Sequence, residues 1–240
     1  MYSFESRVRY SETDAQGRLT AEKLIDYFQD CSTFQSEDGG VGIAHLRGQG
    51  LAWIIVYWRV EIARMPLLGE DIRIGTIPYQ LKGGIGLRNF FLDTADGERL
   101  AAANSVWTLV DADAMRPVRI PREIMDAYPL GERLPMEYDR RKIFVPAVGG
   151  QTRAPVTVRE YHLDSNNHVN NGQYVRIAER FLPSGPAPSV LRIEYRRQAV
   201  LRDRIDPVVY ETTAQDRRTV CVCLNAEDGG PYAVLEAVYS

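Results

Sequence analysis

Apolar positions along the chain recur with two periods, and each period occurs in two places. After Thr20, the residues Leu24, Tyr27, Phe28, Cys31 and Phe34 fall at i, i+3/i+4 and i+7 spacing. This predicts a helix burying one face, with Thr20 as its N-cap. After Asn170 and Asn171, either of which can cap, Tyr174, Ile177, Ala178 and Phe181 repeat the stripe until Pro183 stops it. Behind each helix come about four runs of strand character. Leu191, Ile193 and Tyr195 alternate with Arg192, Glu194 and Arg196, the pattern of a half-buried strand. Asp96-Gly97 and Asp228-Gly229 are hairpin turn signals. A helix followed by antiparallel strands makes an α+β layer, with the sheet wrapping one face of the helix.

The two places are copies of one unit. With Val8-Arg9 placed over Val158-Arg159, Asp14 falls on Asp164, Leu19 on Val169, Ile25 on Val175 and Tyr27 on Ile177. Further along, Arg59-Val60-Glu61-Ile62 matches Arg192-Ile193-Glu194-Tyr195, and Leu68 falls on Leu201. Asp96-Gly97 then matches Asp228-Gly229, and Val106-Trp107 matches Val238-Tyr239. A single match of this kind is noise; a collinear series marks a repeat. The first copy carries an insertion of about seventeen residues in or near Gly39 to Val56. The join, Ala112 to Gln151, holds Pro117, Pro121, Pro129, Pro135 and Pro146 among many charges, the composition of a linker laid over the surface. The chain therefore divides into an N-terminal half (1–125), a linker (126–150) and a C-terminal half (151–240). The two sheets are expected to pair as a pseudo-dimer, as a homodimer of the single unit would.

Composition narrows the class. The 240 residues are 45% hydrophobic and 25% charged, ordinary for a chain with a real core. A net charge of -3 argues against a general nucleic-acid binder. Cys31, Cys221 and Cys223 do not form a disulfide framework, and with no second Cys/His pair they are read as buried, reduced thiols rather than a zinc site. Met1 to Tyr10 has no apolar core of a signal peptide, and the longest apolar run, Leu51 to Trp58, is too short to span a bilayer. A cytoplasmic location, with no membrane or nucleic-acid partner, is expected.

One stretch concentrates chemistry. Tyr161-His162-Leu163-Asp164-Ser165-Asn166-Asn167-His168-Val169-Asn170-Asn171 places a carboxylate, several amides and an imidazole directly before a helix. First-turn N–H groups have no internal partner and favour developing negative charge. Asn side chains add fixed donors to such a site, while Asp164 and His168 offer general base and orienting groups. Capping and turn formation alone also enrich loops in Asp, Asn and Ser. Copy one weighs against that plainer account. Its Asp14-Ala15-Gln16-Gly17-Arg18-Leu19 keeps the Asp but has Gln and Arg where copy two has Asn and His, so the local structure does not require them.

The segment Asp164 to Asn171 resembles the D-x-N-x-H-V-N-N segment of acyl-acyl carrier protein thioesterases. Val190-Leu191-Arg192-Ile193-Glu194-Tyr195-Arg196-Arg197 is similar to that family's L-E-Y-R-R strand. Gly69-Glu70-Asp71, and the run through Ala102, Ser105, Trp107 and Pro117 to Pro121, extend the resemblance over nearly the whole chain. The resemblance implies a tandem double hot-dog fold, each half a long helix wrapped by an antiparallel sheet. It also implies an N-terminal half that shapes the acyl pocket and a C-terminal half that carries catalysis. Asp164, Asn166 and His168 fill three of the family's catalytic positions. The fourth, a Glu just after the Y-R-R strand, is Gln198 here, and a neutral amide cannot accept a proton as a carboxylate does.

The expected activity is hydrolysis of fatty acyl thioesters of acyl carrier protein, without metal or cofactor. The helix N-terminus and Asn166 hold the carbonyl, His168 orients or shuttles a proton, and Asp164, with or without Gln198, places the water. Trp53 and Tyr57 are read as acyl-pocket lining and Trp58 as pocket or core. Arg196 and Arg197, within a basic set that includes Arg192, Arg202, Arg204, Arg217 and Arg218, form either a solvated sheet face or a landing surface for an acidic carrier. Lys82-Gly83-Gly84-Ile85-Gly86 reads as a hairpin rather than a phosphate cradle, and no G-x-S-x-G elbow occurs. His45 and His162 lack partners at metal-ligand spacing. Rival readings are an acyl-coenzyme A thioesterase of the same fold and a non-catalytic acyl-binding protein; a homodimer is left open.

Overall fold

A computed structural model of the chain describes residues 1–214 and 217–239. Strand β1 (Tyr2–Arg7) leads through a 3-10 turn into helix α1 (Ala21–Asp38) and the short α2 (Ile43–Gly48). Four long antiparallel strands follow: β2 (Leu51–Ile62), β3 (Asp71–Lys82), β4 (Ile85–Thr94) and β5 (Arg99–Asp111). After α3 (Arg122–Asp126) and a long connection come β6 (Gln151–Thr152), β7 (Val156–Thr157) and α4 (Asn171–Glu179). The chain closes with β8 (Val190–Tyr195), β9 (Arg204–Ala214), β10 (Arg217–Asn225) and β11 (Pro231–Tyr239).

The strand order is β1-β3-β4-β5-β2-β8-β11-β10-β9-β6, with β7 also on β9. Read outward from the β2–β8 junction, both copies have the same order, so the halves are related by a pseudo-two-fold axis through that junction. This is the expected tandem double hot-dog. Gly97 and Gly229 adopt the positive φ (90° and 81°) that their hairpins demand, and Gly83, at φ 62°, turns β3 into β4.

Thr20 caps α1 by accepting from Lys23 N, and Leu24, Tyr27, Phe28 and Cys31 bury against the sheet as the spacing predicts. Phe34 instead lies at the rim, edge-on to Phe4 at 5.3 Å between ring centroids. The core centre is a stack of Phe28, Trp58 and Phe90, with centroids 4.9–5.9 Å apart. Helix α4 has 9 residues against 18 in α1, so only the first half carries a long helix. Pro183 and the Ser-Gly-Pro-Ala-Pro run after it cannot extend α4.

At the junction β2 and β8 place Arg59 directly opposite Arg192. Like charges in that position repel. The connection between the halves answers this by laying Glu137 and Asp139 over them. Arg59 reaches Glu137 at 2.7 Å and Asp139 at 2.6 Å, while Arg192 reaches Asp139 at 3.0 Å and Glu236 at 2.6 Å. Ile143 of the same segment buries with Tyr57, Cys221, Cys223 and Val234 on this outer face. All three cysteines are buried free thiols.

Candidate active site

The loops that precede α1 and α4 have one construction. In copy one, Asp14 N donates to Arg18 O, and Asp14 Oδ1 accepts from Gln16 N at 2.8 Å and Arg18 N at 2.9 Å. In copy two, Asp164 N donates to His168 O, and Asp164 Oδ1 accepts from Asn166 N at 2.8 Å and His168 N at 3.3 Å. Gly17 (φ 74°) and Asn167 (φ 60°) take the same left-handed place, so Asn167 serves backbone conformation. The copies differ at the second carboxylate oxygen. Asp14 Oδ2 accepts from Arg18 Nε at 3.1 Å. Burial pushes the Asp14 carboxyl up, but these N–H groups and the guanidinium outweigh it and hold Asp14 below its ordinary value. His168 makes no such contact, and Asp164 Oδ2 is left without a hydrogen bond among the described residues.

The helix N-termini differ as well. The carboxylate of Glu179, from α4, accepts from Ala21 N at 2.8 Å and Glu22 N at 3.3 Å, closing the start of α1. Burial pushes Glu179 up to about 7; the two N–H groups and Arg176 oppose this, and Glu22 adds to it. On the repeat alignment Gln29 is the counterpart of Glu179. Gln29 Oε1 instead accepts from the side chain of Asn171 at 2.7 Å. Asn170 Oδ1 caps Gly172 N, and the Asn171 N–H has no partner among the described residues. Of the two pseudo-equivalent helix starts, that of α1 is filled and that of α4 is open.

A cavity of about 680 Å³ opens against this start. Its mouth is formed by Asp164, Ser165, Asn166, Asn170 and Asn171 of copy two, with Asp26 and Gln29 of α1. Its body belongs to copy one: Leu46, Trp53, Leu81, Leu87, Arg88, Trp107 and Tyr128. The insertion seen in the sequence builds much of the wall through α2 and the start of β2, and Arg47 Nη2 donates to Asn166 Oδ1 at 3.4 Å.

Asp164, Asn166 and Trp53 therefore meet at one cavity, which His168 and Gln198 flank without lining. Half-buried His168 bridges Val200, and Val169 N donates to Ala199 O, so the segment carrying exposed Gln198 runs beside the motif. Tyr57 does not line the cavity. An extra residue at Val56 makes a bulge in β2, so the register passes from Ile55↔Trp107 to Tyr57↔Val106. A bulge inverts side-chain alternation beyond it. Tyr57 thus faces outward under the linker, donating to Asp139, while Trp58 turns into the core. Arg196 pairs with Glu194 at 2.8 Å and Arg197 with Asp228 at 2.6 Å; Arg192, Arg204 and Arg218 are paired too, so these five do not form an uncompensated patch. His162 is buried and its Nδ1 accepts from Arg159 N, the place Glu12 takes in copy one. Burial, then Arg176 and Arg159, push its pKa down.

Sequence reasoning missed Glu179, Gln29, Asp26 and Arg88. The repeat alignment held the signal for the first two, since it sets Gln29 over Glu179. No sequence signal marks Arg88 as buried.

Residues 1–128 match the acyl-ACP thioesterase N-terminal domain, and residues 147–233 the acyl-ACP thioesterase C-terminal domain. The chain is 27% identical over 224 residues to a chloroplastic acyl-[acyl-carrier-protein] hydrolase of Cuphea viscosissima, covering 87% of this chain and 53% of that protein. It is 26% identical over 227 residues to oleoyl-acyl carrier protein thioesterase 1 of Arabidopsis thaliana, covering 86% of this chain and 62% of the relative. It thus spans little more than half the length of these curated relatives. An acyl-ACP thioesterase structure from Bacteroides thetaiotaomicron superposes with a TM-score of 0.87 at 21% identity, covering 99% of this chain and 97% of the other. The 12:0-ACP thioesterase from Umbellularia californica gives 0.85 at 18% identity, covering 99% and 94%. Two matched domains in the family's order, on the fold its solved members share, establish that the chain belongs to the acyl-ACP thioesterase family.

Proposed function

We propose that the protein hydrolyses acyl thioesters of acyl carrier protein to a free fatty acid and the carrier thiol. The observation that carries this reading is the asymmetry of the helix starts. Among the described residues the Asn171 N–H is left unpaired at the mouth of a cavity with aromatic and aliphatic walls, while its counterpart in copy one is filled by Glu179. A thioester carbonyl placed there meets the Asn171 N–H and the side-chain N–H of Asn166, whose Oδ1 already accepts from Arg47. As water attacks, charge develops on that oxygen, and one such donor is worth about 10²–10³ in rate. Asp164 Oδ2, free of the arginine that occupies its counterpart, takes the proton of the attacking water. The proton taken by Asp164 passes to the departing thiolate with His168 as the relay, and Gln198, beside the motif, positions water as a hydrogen-bonding amide.

In this reading residues 1–125 hold the acyl chain, with Trp53 in the wall, and 151–240 carry the reaction, joined by 126–150. Arg196 and Arg197 would meet an acidic carrier only in competition with Glu194 and Asp228. Hydrolysis measured over acyl carrier protein thioesters of graded chain length, with coenzyme A thioesters of matched chains alongside, tests the assignment. A kcat/KM higher on the carrier is expected. Preference for coenzyme A would reassign the substrate. Tight acyl binding with no turnover on either, the outcome Gln198 invites, would make the protein an acyl-binding module.

A further inference from the structure

Arg88, on β4, is buried to 9% exposure and lines the cavity, yet no carboxylate lies within salt-bridge distance of it among the described residues. Arg59, equally buried, has three: Glu61, Glu137 and Asp139. Buried charges are ordinarily paired, because a lone one loses its hydration without return. Around Arg88 the compensation is neutral throughout. Nη1 donates to Gln35 Oε1 at 2.6 Å and to Thr76 Oγ1 at 3.4 Å, and the Tyr128 ring lies 5.0 Å from the guanidinium carbon. Nε and Nη2 make no hydrogen bond among the described residues. Burial alone pushes the arginine down to about 10, with only Tyr128 and Cys31 opposing. The surrounding wall adds hydroxyls, Ser36 bonding the Tyr128 hydroxyl at 2.8 Å. An end built only for hydrocarbon would not carry these groups.

We propose that this end of the cavity binds a carboxylate at the far terminus of the acyl chain, so that the substrate is the half-thioester of a dicarboxylic acid. The inference rests on the thioesterase reading and narrows its substrate. The free Nε and Nη2 are two donors in the fork that a carboxylate accepts bidentately. Charge also orients the substrate: Asp26, Asp30 and Asp164 line the same cavity and repel a carboxylate, and of the two arginines in its lining Arg47 is exposed beside Asn166 whereas Arg88 is buried. Gln29, which bonds Asn171 at the thioester end, and Gln35, which bonds Arg88, stand roughly 9 Å apart along α1, so the span fits a medium-length chain.

The test compares carrier thioesters of one medium chain length ending in methyl, carboxylate, hydroxyl or ammonium. The wild-type protein should favour the carboxylate over the methyl end roughly 10- to 100-fold in kcat/KM, the usual range for a charged hydrogen bond, with the ammonium end slowest. Arg88→Met should erase that preference through KM, and Arg88→Lys should keep part of it. Equal rates for methyl and carboxylate ends, or a hydroxyl end as good as the carboxylate, would overturn the proposal while leaving the thioesterase reading intact. If no thioester turns over, that reading fails instead, and calorimetry with the monoamide of the same dicarboxylic acid decides the site. Micromolar binding that the methyl-ended amide lacks supports it, and equal or absent binding rejects it. The substrate comparison on unaltered protein stands even if the Arg88 variants fail to fold.

Discussion

Asp14 and Asp164 hold the same loop with the same oxygen, so a carboxylate at either place has a structural duty before any chemical one. What separates them is the second oxygen, taken by Arg18 in copy one and open in copy two. An amide keeps the first function and loses the second. Asp164→Asn should therefore retain the fold and lose roughly 10²–10⁴ in kcat, the range for a general base, whereas Asp14→Asn should change thermal stability and leave kcat within a few-fold. Single-turnover kinetics beside melting curves separate the two, and equal losses of kcat would contradict the division of labour. At Gln198 the informative change is Gln198→Glu. A rise in kcat would mean the amide limits the reaction. A fall would mean the site works around a single carboxylate, since a second one nearby raises the pKa of the first.

Each helix start is approached from the other copy, with different results: Glu179 of α4 closes α1, whereas Gln29 of α1 holds only the Asn171 side chain and leaves the start of α4 open. The Glu179 carboxyl is pushed up to about 7 from an ordinary value of 4.5. The folded state thus holds this proton more tightly than the unfolded chain does. Its contribution to stability is greatest below about pH 4.5 and is lost as pH rises through about 7, on the order of 3 kcal/mol in all. Glu179→Gln removes the titration. Urea unfolding from pH 4.5 to 8 should show the wild-type protein losing ground to the variant across that window; a constant difference would mean the carboxyl titrates normally. The element scale also explains Tyr57. Trp53 and Tyr57 have the same parity in β2, but the bulge at Val56 sends one to the cavity and the other under the linker.

Across the whole molecule, two sheets become one at β2 and β8, and the join brings together two arginines that repel. Asp139 is the carboxylate both share, at 2.6 Å from Arg59 and 3.0 Å from Arg192. Without it Arg59 keeps Glu61 and Glu137 and Arg192 keeps Glu236, but the carboxylate that bridges the two facing arginines is gone. Asp139→Ala should cost about 2–4 kcal/mol and leave the chain-length preference unchanged, because the network lies on the face opposite the cavity. Denaturant unfolding measures the first and the substrate panel the second. A loss under about 1 kcal/mol would mean that Glu61, Glu137 and Glu236 suffice without it.

By itself the sequence determined the repeat, the two capped helices, the matching Asp loops, the hairpins and the place of the insertion. These follow from spacing along the chain: helix and strand periods, turn residues and collinear order are local properties that survive without tertiary contacts. It also singled out Asn166 and His168, because copy one builds the same loop with Gln16 and Arg18 in their places. Only the tertiary structure decided which helix start is open, because Glu179 and Gln29 act on residues roughly 140 to 160 positions away. It likewise decided the face of Tyr57, since one extra residue at a bulge inverts a period-two pattern without altering composition. Arg88 reads as one more polar residue in a strand, and it became a buried cation with no carboxylate partner among the described residues only when α1 and the segment carrying Tyr128 closed over it.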